Sequence, residues 1–115
     1  LPVLPAPVAA ELDYMLTQRG GSNANDRLLR DLASGRFHVP CLEPAEYVTI
    51  QALNQQYHDL DVGLTDLSIV VFAARFRTTR VLTFDQRHFR TLRPLQGGSF
   101  NLVAYDEPPP RGGRT

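Results

Sequence analysis

The chain contains no lysine, and its single cysteine is Cys41. One thiol cannot form an internal disulfide, which fits a reducing cytoplasm, the expected location. Cys41 is expected to pack as a small apolar side chain, since nothing nearby would activate it as a nucleophile. Twelve arginines balance twelve acids for a net charge of +0, so no bulk attraction to a polyanion can be claimed. The longest largely apolar run, Leu67 to Ala74, is far too short to span a membrane. No basic segment followed by an apolar stretch marks a secretory leader. His38, His58 and His88 lack the spacing of zinc ligands, and no serine–histidine or cysteine–histidine triad can be assembled from their placement. Gly97-Gly98 reads as a turn rather than a phosphate cradle. No internal repeat is visible.

What is present suffices for one folded domain: 43% hydrophobic residues can fill a core, and 21% charged residues argue against general disorder. The charges are unevenly distributed. Phe37 to Ala74 holds five acids and no arginine, whereas Arg75 to Arg93 holds six arginines and one acid. An acidic segment followed by a basic one can hold a cation and attract phosphates beside it. The use of arginine alone is read as codon bias.

Hydrophobic periodicity gives an alternating order of elements. Leu1 to Leu4 reads as a strand end, stopped by Pro5 and Pro7. A helix follows to Gly20-Gly21, with Val8, Leu12, Met15, Leu16 and Arg19 on one face, Glu11 at its rim and Asp13 on the solvated side. A second helix is expected from Ser22 or Asn23 to Ser34, a strand over Phe37 to Leu42, and a third helix from Pro44 to His58. Asp59 to Gly63 reads as a loop. The next helix, Thr65 to Arg77 with Thr65 as its N-cap, is apolar almost all round and so should be buried. A strand over Val81 to Phe84, a helix from Gln86 to Leu92 and a strand over Phe100 to Tyr105 complete the order. Strands alternating with helices predict a parallel, three-layer α/β sandwich.

Asp66 and Asp85 stand out within this frame. Asp66 sits in the first turn of the buried helix, where the macrodipole favours a carboxylate. Asp85 ends a short strand, the place where open parallel sheets gather ligands. Two carboxylates brought together repel unless a cation lies between them, and a hard ion, Mg²⁺ or Mn²⁺, prefers oxygen ligands. Each residue also has a bland reading. Asp66 can satisfy a helix terminus, Asp85 can cap the following helix, Glu11 can pair with an arginine, and the arginines can form a solvated face. His88 reads as a packing or capping residue.

The run GLTDLSIVVFAARFRTTRVLTFDQRHFRTLRPL, with PAPVAAELDYMLTQRG upstream, resembles PIN-domain ribonucleases of the VapC toxin type, particularly actinobacterial ones. The likeness covers about Pro2 to Val103. It implies an α/β/α PIN-like domain with a central, mainly parallel sheet that hydrolyses RNA phosphodiester bonds with Mg²⁺ or Mn²⁺. It also implies a VapB-type antitoxin partner in a type II toxin–antitoxin pair, and a homodimer. Glu11, Asp66 and Asp85 match three members of the family's acidic cluster, with Thr65 and Thr83 at flanking polar positions. Arg87, Arg90 and Arg93 are assigned to flanking RNA phosphates. The family's first aspartate, which ends an initial central strand, falls ahead of residue 1. The expectation is therefore a PIN domain over 1–106 lacking its first strand and first helices, followed by a disordered Pro/Gly/Arg-rich tail over 107–115. Without that aspartate, the rival reading is a catalytically inactive, truncated PIN module acting in antitoxin binding or dimerisation. A flavodoxin-like small-molecule binding domain is a third reading, opposed by the lack of a phosphate loop.

Overall fold

The apolar run at the centre of the sequence becomes the axis of the molecule. Helix α4, Leu64–Arg75, buries Leu67, Ser68, Val70, Val71, Phe72 and Ala73. A helix covered on nearly every side needs apolar residues all round, and this sequence supplies them. A computed structural model describes residues 1–83 and 86–107. Before α4 come α1 (Ala6–Gly20), α2 (Asp26–Ala33), α3 (Pro44–Gln56) and a 3-10 turn at His58–Leu60. After it come β1 (Arg80–Val81), α5 (Gln86–Thr91), β2 (Asn101–Leu102) and α6 (Val103–Asp106). Helices α1 and α3 both pack on α4.

The core gathers Ile50 and Leu53 of α3, the inward residues of α4, Val81, Phe89, Leu92, Phe100 and Leu102. Phe89 meets Phe100 edge-on with centroids 5.5 Å apart, a favoured aromatic geometry. Strands β1 and β2 pair in parallel, Arg80 opposite Asn101 and Val81 opposite Leu102. A parallel bridge joins Val3 to His38. Three backbone hydrogen bonds hold it: His38 N–H to Pro2 O, Leu4 N–H to His38 O and Ala6 N–H to Pro40 O. The architecture is thus mixed helix and strand with a small parallel sheet.

Several elements differ from the sequence expectations. Phe37 to Leu42 contributes a single bridge rather than a strand, because Pro40 has no N–H to extend the ladder. Helix α2 begins only at Asp26, since Asn23 adopts a left-handed φ of 65° in the preceding turn. Helix α4 starts one residue early, with Gly63 rather than Thr65 at the N-cap and the Leu67 N–H bonded to Gly63 O. Strand β1 stops at Val81. The expected strand over Phe100 to Tyr105 turns into α6 after two residues, because the Asp106 carboxylate accepts the Leu102 N–H at 2.9 Å. At the end of α1, a Cβ on Gly20 would lie 2.4 Å from the Ala24 Cβ, so only glycine lets the chain double back there. The expected tail, beyond Glu107, lies outside the described residues.

Candidate functional site

Three separated stretches converge on one cavity of about 310 Å³. Helix α1 contributes Val8, Glu11, Leu12 and Met15; the start of α4 contributes Leu64, Thr65, Asp66 and Ile69; Leu82 and Thr83 follow β1. The helical spacing of Val8, Glu11, Leu12 and Met15 puts them on one stripe of α1, which packs on α4. Glu11 is exposed at the mouth, Thr65 and Asp66 are half-buried, and Thr83 is buried. The walls are otherwise apolar, which strengthens any electrostatic interaction made inside.

Asp66 occupies the first turn of α4, where the helix dipole favours its charge. Its Oδ2 lies 2.9 Å from His88 Nδ1 on α5. A carboxylate only accepts, so the imidazole donates from Nδ1. Below Asp66, the fully buried Ser68 donates to Thr65 O at 2.6 Å, which ties the same first turn together.

The polar lining consists of oxygen donors: Glu11, Asp66 and the Thr65 and Thr83 hydroxyls. That set suits a hard divalent cation, and Mg²⁺ usually binds through only one or two carboxylates while keeping several waters. Among the described residues, no three His, Cys, Asp or Glu side chains form a group able to hold a metal. Asp85 lies outside the described residues, so its expected place beside Asp66 does not enter the geometry.

The arginines have varied surroundings. Arg90 grips Asp106 with a two-pronged contact at 2.7 and 2.8 Å and also reaches Gln86. That guanidinium holds the Asp106 carboxyl below its usual range. Arg80 forks onto Glu107 in the same way and lowers it likewise. Arg87 and Arg93 are exposed, and the Arg93 backbone N–H donates to the Tyr57 hydroxyl.

Some side chains lie away from their expected surroundings. Asp13 is half-buried rather than solvated, because Asn25 Nδ2 donates to it. Cys41 is exposed, not packed as a small apolar residue, while its carbonyl accepts from Arg75 Nη2. His88 holds a carboxylate at the cavity, a role no local pattern signals, since 22 residues separate it from Asp66.

No protein-family model matches the chain. It is similar to a curated protein, Ribonuclease VapC26 of Mycobacterium tuberculosis, with 40% identity over 96 residues. The matched segment spans 84% of this chain and 71% of that protein.

Proposed function

Because the chain belongs to the VapC family of ribonucleases, we propose that it is the toxin of a type II pair, a Mg²⁺- or Mn²⁺-dependent endoribonuclease. The observation that carries this reading is the convergence of Glu11, Thr65, Asp66 and Thr83 on one cavity from distant parts of the sequence. The donors fit a hard cation. Asp66 would hold it directly, and Glu11 and Asp85 would hold it through water or complete a second site. A bound ion would supply charge stabilisation at the phosphate and acidify the attacking water.

The chain's own residues account for the remaining work. Glu11, exposed at the cavity mouth, accepts a proton from water at its carboxylate or orients that water. The Thr65 and Thr83 hydroxyls hydrogen-bond water or phosphate oxygens inside the cavity. Arg87 and Arg93 contact the flanking RNA backbone, and Arg90 joins them by exchanging Asp106 for a phosphate. A VapB-type antitoxin and a second copy of the chain are the partners this reading includes, and the cytoplasm its location. The reading also treats 1–106 as one PIN-type unit of three layers.

The test is cleavage of an RNA panel with Mg²⁺, with Mn²⁺ and with excess chelator, comparing the unaltered protein with Asp66→Asn. Cleavage should require the ion, and the variant should lose more than the roughly 10–100-fold that removal of an outer partner costs. Undiminished cleavage by Asp66→Asn would remove Asp66 from the site. Antitoxin binding without any cleavage would favour the inactive binding module.

A further inference from the structure

We infer that His88 is a positioning residue for Asp66: its Nδ1–H holds one carboxylate oxygen so that the other is presented to the cavity. The inference rests on the reading of Asp66 as a cation ligand and deepens it. Asp66 lines the cavity, and its Oδ2 is the oxygen that His88 engages at 2.9 Å. Both side chains are largely withdrawn from solvent, at 21% exposure for His88 and 23% for Asp66, so water competes weakly for the contact.

The imidazole is itself held firmly. Helix α5 is only six residues long, yet its Phe89, and Leu92 just after it, sink into the core at 1% and 0% exposure. Phe89 is the next residue along the chain, and its edge-on contact with Phe100 fixes this part of α5 against the residue that leads into β2. The contact therefore links two rigid elements, α4 and α5, through the carboxylate that faces the cavity. A free aspartate side chain must lose rotational freedom each time it binds an ion. An aspartate already held at one oxygen has lost much of it beforehand. Partners that orient a ligating carboxylate typically contribute about 10–100-fold to metal affinity or activity.

The test measures Mn²⁺ binding by calorimetry on the full chain, so that it does not depend on cleavage. His88→Ala should weaken binding by about 10–100-fold. His88→Asn should recover most of it, because its amide nitrogen can donate from nearly the position of Nδ1. A purely packing role would move the melting temperature of the ion-free protein and leave affinity intact. If His88→Ala does not fold, His88→Leu, which fills the space without a donor, is compared with His88→Asn. Binding at the unaltered strength in His88→Ala or His88→Leu, with Asp66→Asn weakened, would overturn the role of His88 alone. Equal weakening in the Asn and donor-free variants would also overturn it, since the donor would then not matter. Unchanged binding in Asp66→Asn would bring down the cation site and this role together.

Discussion

At the scale of single residues, Arg75 shows how much one side chain can tie together. Its guanidinium forks onto Glu46 of α3, donates to the Cys41 carbonyl at 2.9 Å, and lies 4.6 Å from the centroid of the Phe72 ring. The hydrogen bond from Arg75 is the largest influence on Glu46 and moves its carboxyl below the ordinary value of 4.5. A carboxyl lowered in the folded state stabilises the fold above its unfolded value, and the contribution fades as pH falls through the lowered one. Glu46→Gln should therefore cost stability at neutral pH, of order 1 kcal/mol or less for a partly exposed pair. Its deficit should shrink in denaturant titrations as the pH drops below 4.5. A deficit independent of pH would show that charge is not what matters. Glu11 and Asp66 were legible in the sequence because helical spacing and a helix start place them. The His88 contact was not, because only packing between α4 and α5 creates it.

At the scale of elements, the buried helix was the easiest to read and the strands the hardest. Twelve residues with apolar side chains on every face leave α4 little choice but the interior. Val70 has no exposed surface, so Val70→Ala should cost roughly 1–3 kcal/mol in equilibrium unfolding, with a change at the exposed Gln18 of α1 as the neutral control. Strands β1 and β2 are two residues each, and a stretch that short carries no periodicity to read. The last helix illustrates the point. Leu102, Val103 and Tyr105 look strand-like, but Asp106 folds back onto the Leu102 N–H and is gripped by Arg90. Asp106→Ala removes both contacts, and hydrogen exchange at Leu102 should accelerate by at least about fivefold, matching the ~1 kcal/mol typical of a lost cap. Unchanged protection there would show that α6 forms without it.

At the scale of the whole molecule, the cavity joins the amino-terminal helix to the central helix and the segment after β1. An ion bound there would favour the folded state over the unfolded one. At a hundred times its dissociation constant, Mn²⁺ should add about 2.7 kcal/mol. The melting temperature should rise with Mn²⁺ in the unaltered chain and stay level in Asp66→Asn. An equal rise in both would place the ion elsewhere. The order of helices and strands was legible from periodicity, whereas the convergence of Glu11 and Asp66 was legible only through the resemblance to the family's acidic cluster. Local patterning says which face of a helix is apolar, not which other helix covers it.

The short seam between residues 2–6 and 38–40 carries one more consequence. It closes through the N–H groups of Leu4, Ala6 and His38. Sliding the first segment by one position either way would call on Pro5 to donate, and in one direction on Pro7 as well; neither has a hydrogen to give. Alignment here is enforced by missing teeth, so the zipper cannot slip by a single notch.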